Sequence, residues 1–183
     1  MKITLSGLPY SGKGELSKKL VPILKIPCFS VGDLRREYAQ KKNITITQLN
    51  VLAEKDPQSD KLADEYQQAW AKEHQDFLLE GRLSYYFIKD SIKLFLTVSP
   101  EEAAKRALLD DRSSESKENS IEKQIEKNNK RCNSDVKRYF ALHKIKNCYD
   151  PKNFDIIIDT TNLTKEEVLG RTLEELEKLK TNL

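Results

Sequence analysis

A chain of 183 residues, 38% apolar and 33% charged, is long enough for one domain with a substantial core, and its mean hydropathy of −0.67 describes a heavily solvated surface. The near-balanced net charge of +3 argues for no nucleic-acid partner, and no apolar run approaches the ~20 residues of a membrane span. Three widely spaced cysteines and two isolated histidines suggest neither a disulfide framework nor a metal cluster, and with no signal-peptide pattern at the start the expected location is cytoplasmic.

Ile3 and Leu5 belong to a short apolar run that breaks at once into Gly7-Leu8-Pro9-Tyr10-Ser11-Gly12-Lys13-Gly14, a complete G-x-x-x-x-G-K. Gly7 and Gly12 allow backbone torsions that a Cβ would penalise, so successive N–H groups can turn inward around an anion. The helix beginning near Lys13 adds the positive end of its dipole, and Lys13 adds a mobile full charge for the outer phosphates. Gly14 and Glu15 stand where the pattern usually ends in a hydroxyl that reaches a metal.

Leu16, Leu20, Ile23 and Leu24 then recur at helical spacing, with Pro22 and Pro27 limiting the helix. A short strand is predicted at 27 to 30, and Ser30 or Asp33 caps the helix after it. For Arg35 and Arg36 in that helix a ligand reading competes with that of ordinary exposed helix charges, the commoner case. Residues 43 to 75 read as helix in two pieces split near Asp56-Pro57, the second with Leu62, Tyr66 and Ala69 on one face and Asp60, Lys61 and Asp64 around the other. The run Asp76-Phe77-Leu78-Leu79 ends in Glu80-Gly81-Arg82. A carboxylate at the carboxyl end of a buried strand lies near the phosphate loop in an open α/β sheet, where Glu80 can serve a Mg²⁺ shell directly or through water. Residues 92 to 98 form the clearest interior strand, and Ser99-Pro100-Glu101-Glu102 opens a helix through Arg106 and Leu109. From Asp110 to Asn147 apolar residues thin out, which predicts solvated helices or a mobile insertion. Residues 154 to 159 restore a buried strand. Thr164 and Glu167 form a capping box for a last helix with the stripe Val168, Leu169, Leu173, Leu176 and Leu179. Five strands interleaved with helices, without a hairpin signal, predict a parallel sheet with helices on both faces.

These landmarks together resemble the nucleoside monophosphate kinases, most closely the short archaeal-type cytidylate kinases, over nearly the full length. The match is carried by Gly7 to Gly14, Ser30-x-Gly32-Asp33-x-x-Arg36, Asp56-Pro57-x-x-Asp60-Lys61-x-x-Asp64-x-x-Gln67, Glu80-Gly81-Arg82, Arg131-x-x-Ser134-x-x-x-Arg138-Tyr139 and Ile158-Asp159-Thr160. The resemblance implies a three-layer P-loop NTPase fold in one domain spanning 1 to 183, with a monophosphate-binding insertion at 31 to 75 and a lid at 110 to 140. It implies transfer of the γ-phosphoryl group of ATP to CMP or dCMP with Mg²⁺ by a monomer. Lys13, Arg131 and Arg138 would be catalytic, and Gly7, Leu8, Pro9, Tyr10, Ser11, Gly12, Lys13, Gly14 and Glu15 would hold ATP. Ser30, Asp33, Arg36, Asp60, Asp64, Gln67, Gly81 and Arg82 would bind the monophosphate, with Asp60, Asp64 and Gln67 by the base and Glu80 serving the metal indirectly. Tyr10, Glu15, Glu65 and Tyr66 depart from the pattern. Asp-Gly-x-Pro-Arg, expected at 80 to 84 for an adenylate kinase, is absent. Kinases of AMP or a small metabolite, and a non-catalytic nucleotide-binding protein, are the competing readings.

Overall fold

A computed structural model describes residues 1–110 and 118–181. Each predicted strand is present: β1 (Lys2–Gly7), β2 (Cys28–Ser30), β3 (Phe77–Glu80), β4 (Ile92–Thr97) and β5 (Ile156–Asp159) pair in parallel in the order β2-β3-β1-β4-β5. The connecting helices are α1 (Lys13–Leu24), α2 (Val31–Lys41), α3 (Ile46–Lys55), α4 (Gln58–Lys72), α5 (Ser84–Phe87), α6 (Pro100–Leu109), α7 (Ile121–His143) and α8 (Lys165–Thr181). None of them is long and apolar enough to cross a membrane.

Strand alternation divides the core between the two faces of the sheet. Leu78 joins Ile3, Leu5, Leu94, Leu96, Ile156 and Ile158 under Leu16 and Leu20 of α1 and Val168 and Leu176 of α8. Its neighbours Phe77 and Leu79 point the other way, to Ala71, Ile88, Phe29 and Trp70. Trp70 packs against the rings of Phe29, Phe77 and His74, as a core residue. Full burial of one such side chain contributes roughly 1.5–3 kcal/mol, so the sheet carries much of the stability. Thr4 and Ser6 occupy the buried central strand because their hydroxyls are satisfied. Thr4 Oγ1 lies 3.0 Å from Ser91 Oγ, and Ser6 donates to the Gly81 carbonyl at 2.6 Å.

Local signals set most helix starts. Ser30 accepts from the Asp33 N–H and caps α2, Thr45 and Gln48 form a capping box on α3, Ser99 caps α6, and Thr164 with Glu167 opens α8. As the prolines require, α1 ends at Leu24, with Pro22 in its last turn and Pro27 beyond it. One expectation changes. The charged stretch after Asp110, expected as solvated helices or a mobile insertion, has a buried face over its described part. From Ile121 to His143 it is one helix packed on α3 and α6, burying Gln124, Asn128, Asp135, Arg138 and Tyr139. Residues 111–117 of the expected lid lie outside the described residues.

Strand order reverses around β1, with β3 on one side and β4 on the other. An open parallel sheet forms its ligand crevice at the carboxyl ends of strands at such a switch point, and this is where β1 runs into Gly7.

Candidate active site

The loop after β1 is held from below. The Leu8 N–H donates to Leu96 O at 3.0 Å, and the Thr160 hydroxyl donates to Ser11 O at 3.1 Å. Arg106 reaches across from α6 to Thr160 O at 2.7 Å and to Tyr10 O at 3.4 Å, a supporting role that its place in an ordinary helix does not announce. A Cβ at Gly7 would stand 2.6 Å from Leu96 O, so the close approach of β4 requires glycine. Gly12 has φ 89° and Tyr10 has φ 60°, both left-handed. The departure at position 10 thus falls where a glycine would be unstrained, and Tyr10 costs about 1–2 kcal/mol there.

Lys13 turns back over the loop and donates to Gly7 O at 3.1 Å and Leu8 O at 2.9 Å. Arg82, from the end of β3, donates to the same Gly7 carbonyl at 2.9 Å. Burial lowers the Lys13 ammonium to about pKa 7, with Arg82 and then Arg131 adding to the drop and Glu80 opposing it. Lys13 spends its donors on loop carbonyls beside Arg82 and Arg131, and positive charge gathered at a loop of this form is the electrostatic complement of a phosphate. The Ser11 hydroxyl is buried without a partner in the same loop.

Around this loop opens a cleft of about 1140 Å³. Of the residues predicted to hold ATP, Pro9 through Glu15 line it, whereas Gly7 and Leu8 contribute the carbonyls under Lys13. Glu15 directs its carboxylate to Lys165 at 2.6 Å and to Lys18 at 3.3 Å, and these partners hold it below the usual carboxylate range, Lys165 first. Ser30, Asp33, Arg36, Gly81, Arg82 and Arg131 also line the cleft. Arg36 pairs with Asp33 one helical turn away. A Cβ at Gly81 would stand 2.4 Å from Ser84 Oγ, which makes glycine necessary at this turn.

Glu80 lines the cleft as well and accepts from Ser17 Oγ at 3.1 Å. Among the described residues no three His, Cys, Asp or Glu side chains form a metal cage. This donor set fits Mg²⁺, which keeps several waters and takes most remaining ligands from substrate phosphates. Glu80 and Ser17 are the side chains that would hold it.

Four predicted site residues are not brought to the cleft. Arg138 is 2% exposed, its guanidinium taken by Asp60 on one side and Asp135 on the other. Burial pushes the Asp135 carboxyl up, yet Arg82 and Arg138 outweigh it and hold the group at about pKa 2. Asp64 accepts from Gln67 Nε2 at 3.0 Å and meets His143 Nε2 at 2.8 Å, and Gln67 accepts from Ser84 at 2.9 Å. The polar face of α4 is therefore consumed by α5 and α7, because a carboxylate facing an arginine across a dry helix contact leaves neither free. Cleft residues that escaped prediction as ligands include Ser17 of α1, Arg35 of α2, whose charge has a commoner surface reading, and Asn50 of α3. An asparagine in mid-helix, where its propensity is poor, is the one faint mark of Asn50 in the sequence.

A glycine-rich phosphate loop at the switch point of a parallel sheet ordered 2-3-1-4-5, with cations from α1, α2, α7 and the end of β3 lining one cleft, defines the P-loop kinase fold. A shikimate kinase from Bacteroides thetaiotaomicron has this fold, with a TM-score of 0.64 over 97% of this chain and 98% of that one at 13% identity. The chain belongs to the cytidylate kinase-like family, whose model matches residues 2–162. It is 33% identical to the cytidylate kinase of Methanothermobacter thermautotrophicus over 166 residues, covering 91% of this chain and 99% of that protein. It is also 30% identical over 178 residues to an S-adenosylmethionine-dependent nucleotide dehydratase of Lacinutrix mariniflava, covering 97% of this chain but spanning 36% of that protein's length.

Proposed function

We propose that the protein transfers the γ-phosphoryl group of ATP to CMP or dCMP, giving ADP and the corresponding diphosphate. The observation that carries this reading is the single cleft in which the phosphate loop and Lys13 face Arg36, Arg82 and Arg131. Two polyanions must meet in line, and a cation set drawn from several elements is what such a meeting requires. An oxygen of the acceptor phosphate attacks the γ-phosphorus, the bond to the β-bridging oxygen breaks, and ADP leaves. No nucleophilic side chain is needed. Lys13 and Arg131 offset charge on the transferred group, while Arg36 and Arg82 orient the acceptor through forked hydrogen bonds. Mg²⁺ arriving with ATP would be held by Glu80 and Ser17 and would supply further neutralisation of phosphate charge.

The segments 31 to 75 and 110 to 140 act in this reading as clamp and lid, excluding water that would otherwise accept the phosphoryl group. The names of the relatives support a nucleotide acceptor: one is a cytidylate kinase, and the other a nucleotide dehydratase. A coupled assay of ADP release against CMP, dCMP, UMP, AMP, GMP and shikimate tests the assignment. CMP or dCMP should give the highest kcat/KM. Higher activity on AMP overturns the choice of base, and ATP binding without turnover on any acceptor overturns the enzymatic reading.

A further inference from the structure

Buried polar atoms without partners are rare, and each asks for a reason. Three of them, on two residues, belong to walls of the same cleft. Asn50 is 6% exposed and its Oδ1 has no hydrogen-bond partner, while Arg35 is 9% exposed with Nε and Nη2 both unpartnered. Both residues line the cleft. In the free protein Asn50 pays the desolvation of an amide oxygen with no return, in the middle of a helix whose other buried positions are Ile46, Leu49 and Ala53. A residue of purely structural use at that position would be apolar.

The remaining amino group of Arg35 is fixed. Its Nη1 pairs with Asp60 at 3.1 Å, and Asp60 is itself tied to Arg138. The guanidinium is thus held by one corner, while its other two nitrogens lie buried at the cleft wall with no hydrogen-bond partner. Ile46, one turn before Asn50 on the same face of α3, and Val31 of α2 add apolar wall to the cleft.

Resting on the cytidylate reading above, we infer that Asn50 and Arg35 form the base-recognition pair, reading the pairing edge of cytosine. That edge presents a 4-amino donor followed by two acceptors, N3 and O2. An amide oxygen and two guanidinium N–H groups present acceptor, donor, donor, its complement. Uracil fails twice: its O4 would face the Asn50 oxygen, and its N3–H would face a guanidinium N–H. Guanine likewise sets O6 against the amide oxygen and N1–H against a donor, whereas adenine matches two positions and leaves the third donor without a partner. Asp60 acts in this scheme through Arg35 as a positioning residue and touches no base.

The test compares kcat/KM for CMP, UMP and the monophosphate of pyrimidin-2-one riboside, which is cytidylate without its 4-amino group. The wild type should prefer CMP over the deamino analogue by about ten- to a hundredfold. Asn50→Leu, an apolar replacement of similar size, should bring that ratio to about one while leaving the KM for ATP unchanged. Asn50→Ala carries the same comparison if the leucine variant does not fold. Arg35→Lys keeps the charge facing Asp60 but loses the fork, and should reduce the preference of CMP over UMP. Folded variants that retain the wild-type ratios overturn the inference and leave the cytidylate reading standing. A wild type that is active but indifferent among the three monophosphates overturns both.

Discussion

Arg138 and Arg36 sit in the same protein with the same chemistry and differ in what neutralises them. Around Arg138 the chain supplies its own anions, Asp60 and Asp135, in a place nearly closed to water. Arg36 pairs with Asp33 on the open side of α2, and Lys13 donates to two loop carbonyls beside Arg82 and Arg131, with the Glu80 carboxylate the opposing charge. An arginine whose carboxylates belong to the fold builds the fold. A cation left beside other cations is held for an anion that comes from outside. Arg82 stands between the two cases, pairing with Asp135 at one end and touching Gly7 O at the other.

The largest effect that would break this contrast concerns Arg138. Removing one member of a buried ionic cluster leaves the others uncompensated, at a cost of about 3–5 kcal/mol. For a domain of this size each kcal/mol moves Tm by about 2–4 °C, so Arg138→Ala should lower Tm by roughly 10 °C or more in a thermal melt. A variant with native Tm and reduced turnover would return Arg138 to the catalytic group.

Next in size is Lys13. Lys13→Ala should lower kcat by at least about a hundredfold, as loss of a preorganised charge at a developing anion does, with circular dichroism unchanged. The lowered proton affinity of this lysine yields a second readout. With a pKa near 7, Lys13 is mostly neutral at pH 8 in the free protein, and a bound triphosphate favours its charged form. Binding ATP at pH 8 should therefore take up a large fraction of one proton, while at pH 6, where the amine already carries its proton, this contribution disappears. Titration calorimetry in two buffers of different ionisation enthalpy measures the uptake, and Lys13→Met should abolish it. Equal uptake in that variant would remove Lys13 as its source.

What could be read from the chain follows the same division between local and distant causes. The phosphate loop, the caps at Ser30, Ser99 and Thr164, and the apolar strands are written in neighbouring residues, and they stand where expected. The partners of Arg138 are not. Asp60 lies 78 residues away, and only the docking of α7 onto the rest of the fold brings it there. The same docking explains why a helix with few apolar residues reads as solvated, because its buried face is made largely of Gln124, Asn128, Asp135 and Arg138, which bond to one another and to their neighbours while Asn128 Nδ2 and Arg138 Nε have no partner. Asp60, Asp64 and Gln67 share a helical face as their spacing requires, but spacing alone does not say which neighbour that face meets. Asn50 gave no motif at all, since its role depends on what is missing around its oxygen.

The smallest expected effect separates Arg36 from Arg138 most cleanly. Its pair with Asp33 spans one turn of a helix at the surface, and such pairs contribute about 0–1 kcal/mol, so Arg36→Ala should leave Tm within about 3 °C of the wild type. Its forked donors line the cleft, where a monophosphate would take them from Asp33 by offering more charge and two oxygens at once. Loss of that interaction should raise the KM for the acceptor by about tenfold, equivalent to ~1.4 kcal/mol, with the KM for ATP unchanged. Steady-state kinetics with each substrate varied in turn, paired with a thermal melt, reads both quantities on one preparation. A large fall in Tm with native kinetics would place Arg36 among the residues that hold the fold, and the distinction between the two arginines would then rest on burial rather than on use.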